Sequence, residues 1–149
     1  MNNIRHFDTA VIYMADKLYA AFPVCLNIKT YNEIDKIHWD GDIDRELKAL
    51  MLSETIFWLE ENGFLNFSKN DGRLKIKDDT PEPSTSFTCV RLSVSGLNLL
   101  KSPPPSLETK ESFGEKISRG LKEAVSKQAS NMMAELGTEF VASLGKQWV

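Results

Sequence analysis

A chain of 149 residues with 42% apolar and 26% charged side chains holds enough apolar material for one core and an appendage, which excludes a disordered polymer. A formal net charge of -3 excludes a globally basic nucleic-acid binder and leaves only a local basic patch to look for. No run reaches the roughly 18 apolar residues of a membrane span, so no membrane partner is expected.

The first residues, "MNNIRHFDTAVIYMADKLYAAFP", carry Asp8, Asp16 and Lys17 inside an apolar pattern, unlike a signal peptide. Ile4, Phe7, Val11, Met14, Leu18 and Phe22 recur at three- and four-residue steps, which predicts a core helix ending before Pro23. "VCLNIKT" then alternates Val24, Leu26 and Ile28 against Cys25 and Asn27, as a half-buried strand does. Cys25 and Cys89 match no zinc or Cys-x-x-Cys spacing, so buried thiols in a reducing compartment are expected, without a disulfide framework, in a cytoplasmic protein.

"DGDIDRELKALMLSETIFWLEENGF" opens with acids that suit a helix N-terminus, Asp42 or Asp44 standing near the cap, and closes at Gly63. It reads as one long helix or as two joined near Ser53. After Gly63 the period becomes two. An Asp71-Gly72 turn would pair Phe67 with Ile76 and Lys69 with Leu74, placing Leu65, Phe67, Leu74 and Ile76 on one face. "DDTPEPSTS" is a proline-broken loop, and "FTCVRLSV" resumes as a strand with Val90, Leu92 and Val94 inward. "SGLNLLKS" is a short helix stopped by Pro103, Pro104 and Pro105. Ser106 then reads as the cap of a helix of about thirty residues, about 45 Å long, with an apolar stripe that includes Ile117, Leu121, Val125, Met132, Leu136 and Phe140.

"TIFWLEENGFLNF" resembles the end of the recognition helix and the wing entry of MarR- and PadR-type regulators, where an apolar helix closes with Leu-Glu-Glu-x-Gly-Leu. "VRLSVSGLNLL" resembles the wing-exit strand of the same families, which runs into Leu-Thr-x-x-Gly-x-x-x-Leu. The resemblance covers the chain from Ile4 to Lys101, with Gly63 ending one helix and Ser95 and Gly96 starting the next. It implies an α+β fold: a winged helix-turn-helix domain over residues 1–102 with a small antiparallel sheet. A proline linker over 103–105 and a long C-terminal helical segment over 106–149, for oligomerisation or for docking on its own domain, follow. It further implies a DNA-associated protein of the transcription-regulator kind, bound to double-stranded DNA, and a homodimer formed through the C-terminal stripe.

The candidate recognition helix, Ser53 to Asn62, contains Glu54, Glu60 and Glu61 and no base, so phosphate contact is expected mainly through the wing. The candidate nucleic-acid residues are Lys69, Arg73, Lys75, Lys77 and Arg91, with Ser53 and Thr55 near the helix start. The bland alternative for the basic run is a solvated hairpin face that discourages edge pairing. "HWDGDIDRE" gathers His38, Asp40, Asp42, Asp44 and Glu46, but a calcium loop of the EF-hand type needs Gly where Arg45 stands and Glu where Met51 stands. No nucleophile elbow, phosphate loop or metal-ligand pair is present, so neither an enzyme nor a cofactor is expected. The alternative to DNA binding is a protein-interaction module that uses its acidic helix and its C-terminal helix.

Overall fold

The computed structural model describes residues 3–39, 41–71, 85–103, 111–123 and 127–146, of which 123, 127–134 and 145–146 are described by backbone alone. Helix α1 (Asn3–Ala21) lies at the centre and is buried on more than one side, with Val11, Met14 and Leu18 joined by Ala10, Ile12 and Ala15. Ile4, at its open end, is 71% exposed.

Strand β1 (Leu26–Lys29) leads into a single-turn helix α2 (Thr30–Glu33), extended by a tighter turn at Ile34–Lys36, and then into α3 (Arg45–Glu61). Asp44 caps α3, its carboxylate accepting from the Leu47 amide at 2.7 Å, as an acid at the positive end of a helix should. No break occurs near Ser53. At the other end Gly63 takes a φ of +74°, the Phe64 amide donates to the Leu59 carbonyl at 2.9 Å and the Gly63 amide to Glu60 at 3.0 Å. These two bonds satisfy carbonyls that a helix end otherwise leaves open.

Strands β2 (Leu65–Asn66) and β3 (Lys69–Asp71) both pair antiparallel with β4 (Ser86–Leu92), and β4 also pairs with β1, so the order is β1-β4-β2. Lys69 faces Thr88 and Asp71 faces Ser86, while the expected turn at Asp71-Gly72 runs into residues outside those described. Leu74 and Ile76 lie outside the described residues.

Val24 is 66% exposed and Val94 77% exposed, against the inward positions that strict alternation assigned them. Phe87 and Val90 both point into the core although they are three residues apart. A bulge reconciles them: Leu26 opposes Val90 and Ile28 opposes Phe87, so β4 has one residue more than β1, and Cys89 carries it with a φ of +55°. The bulge also overturns the cysteine reading. Cys89 is joined to Cys25 by a disulfide across the β1–β4 pair, 64 residues apart in sequence.

Helix α4 (Val94–Lys101) is capped by Ser93, whose hydroxyl accepts from the Gly96 amide at 2.9 Å. The Ser-x-x-Gly start is therefore Ser93 to Gly96, two residues earlier than Ser95. Gly96 rests on the Phe64 carbonyl oxygen, where a Cβ would overlap it.

The C-terminal segment folds as two helices, α5 (Phe113–Glu123) and α6 (Lys127–Lys146), and both pack on α1. Ser112 caps α5 by accepting from the Glu115 amide, while Ser106 lies outside the described residues. Phe113, Ile117, Leu136, Phe140 and Leu144 join the same core cluster as α1 and the sheet. Phe140 sits edge-on to both Phe64 and Phe113, with centroids 5.4 and 5.3 Å apart. Of the expected stripe, Ile117, Leu136 and Phe140 are buried against the chain's own core and Leu121 packs partly on it, the docking alternative for this segment. Val125 lies outside the described residues, as does the Met132 side chain. The glycines that weaken an isolated helix serve close approach here, Gly137 against Asp8 and Ile12 and Gly114 against the Tyr19 ring.

Candidate nucleic-acid interface and the outward face of the third helix

The β-register decides which cations reach solvent together. Phe87, Val90, Leu92, Leu65 and Ile28 point inward, so their neighbours point outward: Lys29 beside Ser86, Lys69 beside Thr88 and Arg91 beside Asn66. Lys29, Lys69 and Arg91 are exposed on this outer sheet face, with Asp71 the acid among the paired residues there. Arg73, Lys75 and Lys77 belong to the segment between β3 and β4 and lie outside the described residues. Lys29 escaped the sequence reading, because only the pairing with β4 places it beside the other two.

Ser53 and Thr55 do not stand near the start of a helix. They lie midway along α3 and are buried, Ser53 donating to the Thr30 hydroxyl at 3.2 Å and Thr55 to the Met51 carbonyl at 2.6 Å. Thr30 in turn accepts from the Thr85 amide at 3.0 Å, so this polar group ties α3 to the end of the sheet. The reason for the correction is the helix length: α3 begins eight residues before Ser53, and its accessible start holds Arg45 and Lys48 instead. Arg45 is engaged locally, 2.6 Å from Asp35 and stacked over the Tyr31 ring at 5.6 Å. The hydrogen bond from Arg45 holds the Asp35 carboxyl below its ordinary range.

Beyond Lys48 the outward face of α3 is apolar and acidic. Leu47, Leu50 and Met51 are half-exposed and stand outside the core cluster, and Glu54, Trp58 and Glu61 continue the same face at helical spacing. A cleft of about 280 Å³ opens there, between α3 and Phe7 of α1, with Met51, Glu54, Trp58 and Glu61 on its wall. Trp58 is set edge-on against Phe7 with centroids 5.0 Å apart. Trp39, by contrast, is a packing residue whose indole donates to the Ile34 carbonyl at 3.0 Å.

A buried polar group joins α1 to α2. Glu33 accepts from the Tyr13 hydroxyl at 2.8 Å and pairs with Lys17 at 2.9 Å and Lys36 at 3.2 Å. Burial opposes the charge on Glu33, but the bonds from Lys17 and Tyr13 outweigh it and hold its pKa below the ordinary glutamate range. Burial, followed by the bond to Glu33, pushes the Tyr13 phenol well upward. The group is saturated with partners and positions α2. Among the described residues no three His, Cys, Asp or Glu side chains are placed to hold a metal ion, and Asp40 lies outside them. No described helix is long and apolar enough to cross a membrane. Comparison with models of protein families, with curated proteins and with solved structures finds no match to this chain.

Proposed function

We propose that this chain is a winged-helix, DNA-associated protein of the kind transcription regulators are built on, which touches phosphate through its sheet and wing and leaves bases unread. Support for the winged helix comes from the element order α1-β1-α2-α3 followed by strands that close as β1-β4-β2. In that arrangement α3 holds the recognition-helix position and the segment between β3 and β4 is the wing. The observation that carries the functional reading is the exposed cation set Lys29, Lys69 and Arg91 on one sheet face, continued in sequence by Arg73, Lys75 and Lys77. Cations on a sheet and a loop meet a phosphate backbone without entering the major groove. The acidic α3 face repels phosphate, which removes the usual base-reading element.

At most six phosphates are then neutralised, so the logarithm of the affinity for duplex DNA falls against the logarithm of salt with a slope no steeper than about -5. Titration of unrelated duplexes into the protein from about 50 mM salt upward measures it. Lys69→Glu with Arg91→Glu weakens binding to all duplexes alike. Absence of binding at the lowest salt, or a preference for one sequence that these changes leave intact, defeats the reading.

A further inference from the structure

We propose that the Cys25–Cys89 disulfide is a reversible thiol-exchange site that takes electrons from an anionic thiol of the glutathione class. Exchange is a property of the protein alone, and the proposal stands whether or not DNA binds the same sheet face.

Three observations put the bond within reach of such a thiol and set its preference. First, the bond lies at an open edge of the sheet. Strand β1 is 4 residues long and, among the described residues, pairs with β4 alone. Cys25 immediately precedes it, with Pro23, Val24 and Asn27 exposed nearby, and both cysteines are half-buried. Leu26 opposes Val90, which is fully buried, so Cys25 and Cys89, one residue to the side of each, lie toward the outer face. A short edge strand opens at less cost than the core does, which admits a small thiol without global unfolding.

Second, the surroundings are cationic. Arg91 stands two residues beyond Cys89 on the outer face, and Lys69 faces Thr88, the residue before Cys89. Both are exposed, and the acid among the paired residues, Asp71, faces Ser86, three residues before Cys89 and five before Arg91. The attacking species in exchange is a thiolate, so cations raise the local concentration of an anionic thiol and stabilise the cysteine thiolate that departs. Third, the two cysteines stay opposite each other once the bond opens. The Leu26–Val90 and Ile28–Phe87 pairs flank them, and the Asn27 carboxamide oxygen accepts from the Cys89 amide at 3.0 Å.

The exchange balances with two glutathione molecules. One glutathione thiolate attacks a sulfur of the pair, a bond forms between them as the Cys25–Cys89 bond breaks, and the other cysteine leaves as a thiolate. A second glutathione thiolate attacks the mixed disulfide and releases the remaining cysteine with glutathione disulfide. The two glutathiones supply both electrons, and the two cysteines take up the protons that the glutathiones lost.

The chain holds 2 cysteines, so alkylation of free thiols followed by mass measurement reports this bond alone. The folded, oxidised chain is treated with glutathione, or with cysteamine, whose ammonium group cancels the charge of its thiolate. Both are expected to reduce the bond below the unfolding midpoint. The glutathione-to-cysteamine rate ratio, corrected for thiolate fraction, falls as salt rises, because exposed charges are screened. Lys69→Gln with Arg91→Gln lowers the ratio about tenfold at low salt, with melting temperature as the folding control. Glutathione disulfide then restores the bond and the original melting temperature. Free thiols that appear only on unfolding, a ratio that salt or the substitutions leave unchanged, or failure of the bond to re-form overturns the proposal. The salt series uses the unaltered chain, so the result does not hang on a variant. No nucleic acid is present, so failure of the DNA reading and failure of this one are told apart.

Discussion

Gly96 of α4 sits on the main-chain carbonyl of Phe64, the third residue past the end of α3, and a Cβ at position 96 would overlap that oxygen. Backbone cannot step aside as a flexible side chain can. Gly96→Ala is therefore expected to cost about 3 kcal/mol or more, at the upper end of overpacking. Gly63→Ala, where the left-handed conformation is at stake, costs about 1–2 kcal/mol. Urea denaturation of the two variants decides the matter: equal losses would mean that Phe64 yields.

Removal of everything after Ser102 strips five buried side chains, Phe113, Ile117, Leu136, Phe140 and Leu144, from the shared core. At about 1.5–3 kcal/mol each, the loss approaches the whole stability of a domain, about 5–15 kcal/mol. The truncated chain is expected to lose cooperative melting and to bind a dye for exposed apolar surface. A sharp thermal transition in residues 1–102 would show that the C-terminal helices are dispensable.

Asp8 and Glu33 are expected to respond to pH with opposite signs. Burial raises the Asp8 pKa, partly offset by the hydrogen bond from Thr138 at 2.9 Å. The stability tied to Asp8 is thus fully present below the unfolded value, about 3.9, and is lost as pH rises through the higher folded value. Glu33 behaves in reverse: its folded pKa is lowered, so its contribution is present above the unfolded value, about 4.3, and is lost as pH falls through the folded one. Asp8→Asn should raise the melting temperature at pH 7 and leave it unchanged in acid, whereas Glu33→Gln should lower it at pH 7. Melting curves across pH 3 to 7 that shift both variants the same way would contradict this.

The Cys25–Cys89 bond closes a loop of 64 residues. By the chain-entropy relation, reduction and alkylation are expected to cost about 4 kcal/mol. Urea midpoints of the oxidised and the reduced, alkylated protein measure the difference. Identical midpoints would mean that the β1–β4 pairing is held by Phe87, Val90 and their neighbours alone.

The signals legible in the sequence were those that close within a few residues. Asp44 caps α3 through an amide three positions on, Gly63 ends it because its carbonyls are met by the next two amides, and Gly96 follows Ser93 at the spacing a cap requires. Each depends on local backbone geometry; Asp44 and Gly63 stand where the motif put them, while the cap of α4 is Ser93 and not Ser95. The lack of bases in the second half of α3 is equally a property of the chain. What the acidic face looks like was not, because only the packing leaves Leu47, Leu50 and Met51 outside the core.

Alternation in β4 failed at one residue. A bulge at Cys89 shifts the phase, so Phe87 turns inward with Val90, and no pattern of types announces an inserted residue before its partner strand is known. The same pairing joins two cysteines that the sequence separates by 64 residues. The C-terminal stripe makes the point most plainly. Its apolar residues determine that a surface must cover them, since burial is driven by area and is indifferent to identity. Whether that surface belongs to a second chain or to α1 depends on shape. Gly137 and Gly114, read as weaknesses of an isolated helix, let α6 and α5 approach Asp8 and Tyr19 closely enough to dock on their own chain, and only the folded geometry decides that.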